Sequence, residues 1–428
     1  MTAPPTIARA STRGLLGGGS LLGVAMLVAN AGNYVLNLYL GRVLTPAEFS
    51  DANLMVTFLF TLTSIALCLQ LVAARFIARS DELGFPGDSD RLARRLRRTA
   101  LIAGLAAGLI LAGAAPVWSA VFQTASPWPF VILAVGIPFW LVQAVGRGIM
   151  QARLLLPTLA LSFVIEMLTR VGLGILLVAS GFGVIGATTA LSVSFVVTCI
   201  AVSISSRSVG GPEGEGIAGR EVRQYAALVS VLLLGQIIAN NSDIFVAKAA
   251  FTPTEAGIYA AIALVGRAVF FLSWSVATVV FPVVARRHAA GDSSTSVLRG
   301  GILAVIAIGA ACSLGALWMG GPVLEIVLGP AYGGLSVPLA AYAGATTLFA
   351  VGNLVASSRL SQSRMTESWI LLGASVVQLV LLLIWHDDIA ELITVQYIAM
   401  GSLLIALSGR AVAQRVRSSD RSLRRAEP

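Results

Sequence analysis

Long apolar runs separated by short polar breaks dominate the chain. Twelve runs can be delimited, at 16–40, 52–76, 100–122, 128–148, 154–179, 184–206, 225–249, 256–284, 300–322, 335–357, 368–386 and 390–412. Each approaches or exceeds the roughly 20 residues that carry a helix across about 30 Å of hydrocarbon. Apolar residues are continuous within a run and do not alternate with polar ones, so helices are expected rather than barrel strands. The predicted class is an all-α integral membrane protein of about 12 transmembrane helices. Run 9 passes through Gly320-Gly321-Pro322, which leaves its outer end loosely defined. Run 1 follows Arg9 and Arg13 and contains Ala29-Asn30-Ala31, which imitates a secretory leader. It is read as a span because it continues to Leu40 and has a counterpart in mid-chain.

That counterpart is part of a repeat. Thr45, Pro46 and Glu48 correspond to Thr252, Pro253 and Glu255 at an offset of 207, and Arg79 corresponds to Arg286 at the same offset. Runs 1 and 2 thereby shift onto runs 7 and 8. The chain divides into an N-terminal six-helix half (1–206), a Gly- and Glu-rich linker (207–224), a C-terminal half (225–413) and a basic tail (414–428). Halves that start on the same side are parallel repeats, a common plan in secondary transporters. The Thr-Pro-x-Glu turn has a local rationale. Thr caps the next helix, Pro suits its first turn and Glu complements the helix dipole.

Charge adds an orientation. Of the 29 basic residues, 25 fall in the N-terminal segment, the tail and alternate breaks, if Arg147 and Arg153 are counted together after run 4. The opposite side holds only Arg42 and Lys248. The positive-inside rule then places both termini in the cytoplasm. The net charge of +9 follows from this topology and gives no reason to expect nucleic acid. Hydrophobic residues are 57% of the chain and charged residues 11%, too little charge for an ordinary soluble domain. The longest break, Ala78–Thr99, carries Arg91, Arg94, Arg95, Arg97 and Arg98. It reads either as a short basic helix on the lipid surface or as an orientation signal alone. Cys68, Cys199 and Cys312 all lie in spans and form neither a metal-ligand spacing nor a disulfide framework. No metal or cofactor is expected.

Polar residues inside the spans are the candidate chemistry, because intramembrane charge is costly and marks a cavity or a pair. Glu166 and Arg170 share a face of run 5 at i, i+4. They form either a mutual salt bridge or a site in which Arg170 faces a cavity and Glu166 positions it or takes a proton. Arg267 lies about 16 Å along run 8 at 1.5 Å per residue, with no acid within a turn on its own helix. Its alternatives are pairing with an acid of another helix and binding an anionic head group. Asn30, Asn33 and Asn37 form one stripe on run 1, and Gln236, Asn240 and Asp243 another on run 7. Each stripe either bonds helix to helix or lines a polar path. Asp243 and Lys248, toward the outer end of run 7, are expected to be solvated.

Certain motifs carry a family resemblance. Leu40-Gly41-Arg42 with Leu44, Pro46 and Glu48 resembles the start of polysaccharide transporters. These belong to the multidrug/oligosaccharidyl-lipid/polysaccharide flippase superfamily. Asp243, the stretch Thr252-Pro253-x-Glu255-Ala256-Gly257-Ile258-Tyr259-Ala260-Ala261, Arg267 and Phe281-Pro282 resemble the family's seventh and eighth helices. Arg147-Gly148-x-x-Gln151-Ala152-Arg153 is similar to the end of its fourth. The resemblance implies a multi-pass protein of the cytoplasmic (inner) membrane that flips a lipid-linked oligosaccharide or polysaccharide precursor for the cell surface, such as a lipopolysaccharide. It implies a polyprenyl pyrophosphate glycan as substrate, membrane lipids and other polysaccharide-assembly proteins as partners, and rocking of the halves about a cationic, amide-lined cavity. The candidate binding residues are Arg267, Arg170, Glu166, Asn33, Asn37, Asn240 and Asp243. A small-molecule or multidrug exporter of the same superfamily is the rival, although run 1 carries amides where multidrug relatives commonly carry a coupling acid. A membrane enzyme of polysaccharide assembly fits less well. The outer breaks are short, and His288 and His386 stand in unrelated places.

Overall fold

A computed structural model describes residues 12–214, 216, 218–289, 295–360 and 366–426. Arg9, Arg364 and the last two residues of the basic tail lie outside the described residues. The described chain is helical. The helices are α1 (Thr12–Val43), α2 (Pro46–Glu82), α3 (Pro86–Gly113), α4 (Ala115–Val121), α5 (Trp128–Ala152), α6 (Leu156–Leu177) and α7 (Gly183–Ser205). They continue as α8 (Gly219–Ala250), α9 (Pro253–Ala289), α10 (Thr295–Gly315), α11 (Gly321–Leu328), α12 (Ser336–Leu360), α13 (Thr366–Ile384) and α14 (Ile389–Ala426). No strand occurs among the described residues.

Eleven helical stretches among the described residues are long and apolar enough to cross a membrane. One of them, Leu156–Ser205, has 50 residues, about twice what one crossing needs. It turns where Gly181 (φ +89°) and Gly183 (φ +49°) leave helical geometry, so α6 and α7 account for runs 5 and 6. Many large apolar side chains point away from the protein, among them Leu109 (72% exposed), Trp318 (83%) and Ile405 (75%). Such a surface suits hydrocarbon and would be a liability in water. The chain is a multi-pass membrane protein.

One local expectation changes and one loose end is fixed. The arginine-rich stretch of the longest break is not a separate surface helix. It forms the first turns of α3 and runs straight into the span. At Gly320-Gly321-Pro322 the helix continues, as the apolar run does. A π-helical turn (Ala316–Gly320) leads into α11, where Pro322 occupies the first turn and needs no backbone donor.

The helices pack as two compact units, and neither is a continuous stretch of chain. The first comprises Met1–Tyr39, Ile65–Pro116 and Pro127–Gln224. Its core includes Met150, Leu159 and Val202, contributed by α5, α6 and α7. The first part of the linker is strapped onto α3 within this unit. Asp90 accepts hydrogen bonds from the Ser208 hydroxyl and from the backbone N–H groups of Val209 (3.1 Å) and Gly210 (2.9 Å). Asp88 accepts from Gly214 and Gly216, both at 3.1 Å. Arg153 bridges Asp81 and Asp90 at 3.2 Å each.

The second unit comprises Leu40–Ser64, Val117–Ser126 and Tyr225–Pro428. One of its core clusters joins α8, α12, α13 and α14 through Leu232, Phe349, Leu371, Met400 and Leu403. Both Thr-Pro-x-Glu turns lie in it, and both are capping boxes. The Thr45 N–H and hydroxyl donate to Glu48 (3.0 and 2.8 Å), and the Glu48 N–H donates back to the Thr45 hydroxyl (3.3 Å). Thr252 and Glu255 repeat the pattern at 3.1, 2.7 and 3.4 Å. The starts of α2 and α9 touch so closely that a Cβ on Gly257 would overlap the Pro46 carbonyl. Gly257→Val is therefore expected to cost about 1–3 kcal/mol through overpacking. Thermal unfolding of the purified protein will show a lowered midpoint. Gly315→Val, where no atom stands within 4 Å of the new Cβ, will leave it unchanged.

Candidate functional site

Each unit holds a cationic site inside its spans. In the first unit α1, α5, α6 and α7 meet around Glu166. One carboxylate oxygen takes Arg147 at 2.7 Å and the Gln143 amide at 3.1 Å. The other takes Arg170. Arg147 also donates to the Ser162 hydroxyl and carbonyl, both at 3.1 Å, and lies 4.1 Å above the Phe163 ring. Arg170 reaches the Asn33 side-chain oxygen at 3.1 Å and the Ser194 hydroxyl at 3.4 Å. One carboxylate thus serves two guanidiniums, and the cluster carries a net positive charge within a low-dielectric span.

Glu166 and Arg170 form the salt bridge their i, i+4 spacing allows and Asn33 joins it from α1, but Arg147 changes the picture. Grouped by sequence with the loop arginines, it is only 4% exposed and belongs to the buried cluster. Its signal is readable in one respect. Gln143 and Arg147 stand at i, i+4 on α5 and so share a face. Asn37 stays apart from the cluster and donates to the Asn33 carbonyl of its own helix at 2.9 Å.

In the second unit Arg267 projects from α9 onto the first turns of α2. It donates to the Asn53 side-chain oxygen at 2.8 Å and to the Thr57 hydroxyl at 3.0 Å, and stands 5.1 Å from the Phe60 ring. Among the described residues no carboxylate forms an ion pair with it. The Asn53 amide nitrogen is buried and has no hydrogen-bond partner among the described residues. A guanidinium has five N–H donors, and these two hydrogen bonds use only part of that capacity. Sequence reasoning does not single out Asn53 and Thr57, although they are a polar i, i+4 pair in an apolar run.

Asp243 lies close enough for its charge to be felt by Arg267 without bonding it, and it is not solvated. It is 1% exposed and accepts from the Tyr259 hydroxyl (2.8 Å), the Tyr342 hydroxyl (2.6 Å) and the Gln396 amide (3.0 Å). All three are neutral donors. Lys248 is also buried, at 2% exposure, and forms an ion pair with Asp51 at 2.7 Å. Both expectations of solvation fail for one reason. Neighbouring helices cover the C-terminal end of α8, with α9, α12 and α14 around Asp243 and the start of α2 around Lys248, and the Gln123 amide donates to the Ala249 carbonyl at 3.0 Å. Asn240 donates to the Gln236 carbonyl of its own helix at 2.7 Å, while Gln236 bonds Asn353 at 2.6 Å.

These features can be compared with known proteins. A family model described as polysaccharide biosynthesis protein matches residues 15–288. The chain belongs to that family. Among curated proteins, none matches this sequence. Solved structures agree on the fold of this family member. An inward-facing multidrug-resistance MATE family transporter of the MOP superfamily superposes with a TM-score of 0.75 at 16% identity, covering 96% of this chain and 100% of its own. The lipid II flippase MurJ in an inward closed conformation gives 0.70 at 13% identity, covering 91% and 87%. A MOP superfamily transporter from Pyrococcus furiosus, for which a reversed polarity of the binding pocket suggested a different function, gives 0.57 at 15%, covering 93% of each chain. The polysaccharide biosynthesis family member therefore has the fold of MOP superfamily membrane transporters.

Proposed function

We propose that this protein moves an anionic lipid-linked glycan precursor across the cytoplasmic membrane by alternating access. Pyrophosphate attached to a polyprenyl lipid is the head group that fits. The observation that carries this reading is Arg267, a guanidinium within a span that rests on two neutral acceptors, beside an amide N–H that has no partner among the described residues. Asp243 offsets part of its charge from a distance but does not bond it, and a guanidinium grips phosphate oxygens through parallel donors. The cluster around Glu166, with two arginines to one acid, has the same sign of excess charge. Family membership supports a role in polysaccharide assembly. The arginine-bearing ends of the spans would face the cytoplasm, where the head group is loaded.

Export of cationic small molecules is the second reading. It is favoured by the MATE fold likeness and by the buried Asp243 carboxylate. Transport by purified protein in vesicles separates the two. The expected result is movement of a labelled polyprenyl-pyrophosphate oligosaccharide to the opposite leaflet and no movement of a cationic dye. Dye transport without glycan-lipid transport would overturn the proposal.

A further inference from the structure

Seven arginines stand on the first turns of α3 and α8; Arg97 donates to Ser206, and five of the other six have no acidic partner among the described residues. Arg91 is taken by Asp88 at 2.5 Å and Glu213 at 3.2 Å. Arg94, Arg95 and Arg98 on α3 and Arg220 and Arg223 on α8 are exposed, and none forms an ion pair among the described residues. Spacing puts Arg94 and Arg95 over the same turn as Arg98, and Arg220 one turn before Arg223. The two helices converge at Gly219. A Cβ placed there would lie 3.8 Å from a terminal nitrogen of Arg95 and 3.8 Å from one of Arg223. At most twice that distance separates the two nitrogens. The bonds of Asp88 and Asp90 to the linker hold this convergence in place.

Two costs are built into this arrangement. Like charges face each other across a short gap. Arg220 and Arg223 also occupy the first turns of a 32-residue helix, where the dipole disfavours cations and favours anions. Glu221, the acid of the same turn, is already taken by Arg79 at 2.8 Å. One bound anion would offset both costs. Depth says which anion. The apolar part of α3 begins at Ala100, two residues after Arg98, and that of α8 at Ala226, three residues after Arg223. The cluster therefore sits at the rim of the hydrocarbon, at the level of lipid phosphates.

We propose that Arg95 and Arg223, converging on Gly219 with Arg94, Arg98 and Arg220 beside them, form a binding surface for the phosphate head group of an anionic membrane lipid. The site is separate from the arginines inside the spans and does not depend on what the protein transports. Native mass spectrometry of the protein released from nanodiscs tests it, with phosphatidylglycerol and phosphatidylcholine as competing probes. Wild type is expected to retain phosphatidylglycerol preferentially and to lose it as ionic strength rises. Arg95→Gln with Arg223→Gln is expected to weaken that preference roughly 30-fold, about 5-fold for each arginine. Arg42→Gln, a loss of exposed charge elsewhere, should leave it intact. Arg95 and Arg223 are exposed and form no ion pair among the described residues, so the thermal midpoint of the double variant should match wild type, which checks that the fold is kept. An unchanged preference in the double variant would overturn the proposal. So would an equal loss in Arg42→Gln, or displacement of the lipid by free inorganic phosphate at matched ionic strength.

Discussion

Glu166→Ala is expected to destabilise the first unit by about 3–5 kcal/mol, the cost of leaving a buried charge without its partner. The site makes this a severe case. Arg147 is buried and Arg170 nearly so, and both depend on that one carboxylate. Without it, two guanidiniums would face each other in a low-dielectric span with only Ser162, Asn33 and Ser194 as neutral acceptors. Arg147 cannot reach water without unpacking α5 from α6. Folded yield in detergent and the thermal midpoint will both fall. Glu166→Ala combined with Arg147→Met will recover much of the loss, because it removes one stranded charge and keeps apolar volume. If Glu166→Ala alone unfolds at the wild-type midpoint, the cluster does not hold the unit together.

Arg267→Gln is expected to reduce transport of the anionic glycan lipid roughly 10- to 150-fold. That is the equivalent of losing charge-assisted hydrogen bonds worth about 1.5–3 kcal/mol. The fold should tolerate the change better than the loss of Glu166. Arg267 is only half-buried, and a glutamine amide can still donate to Asn53 or Thr57. Arg267→Lys keeps the charge and loses the forked geometry, so it should fall between wild type and Arg267→Gln. Initial rates of glycan-lipid movement in vesicles of equal protein content will order the three. Equal rates for wild type and Arg267→Gln would remove this residue from the transport path.

Much of the site is legible without the fold, and the exceptions share a cause. Glu166, Arg170 and Arg267 stand out because charge in an apolar run is rare. Helical spacing alone pairs Glu166 with Arg170. Arg147 escapes because it lies near the end of run 4, where a basic residue looks like any other topology signal. Lys248 and Asp243 look solvated for the same reason. Position along a span gives approximate depth, but it does not say whether a neighbouring helix covers that end. Asn53 and Thr57 carry a weak signal, since short polar residues in spans often do no more than bond back to their own helix. Thr57 does this too, to the Asn53 carbonyl at 2.8 Å.

By itself the sequence determined the helical membrane class, the number of apolar runs, the Thr-Pro-x-Glu turns 207 residues apart and the presence of costly charge within spans. All of these depend on interactions along one helix or between one helix and the bilayer, whose period and thickness are known in advance. Tertiary structure alone decided the partners. It gave Glu166 a second arginine, left Arg267 with neutral acceptors and set Arg95 against Arg223. The first two of these join residues 19 and 214 positions apart, and the third joins separate helices. Ridge-into-groove packing of whole helices sets such distances, and no local spacing encodes it.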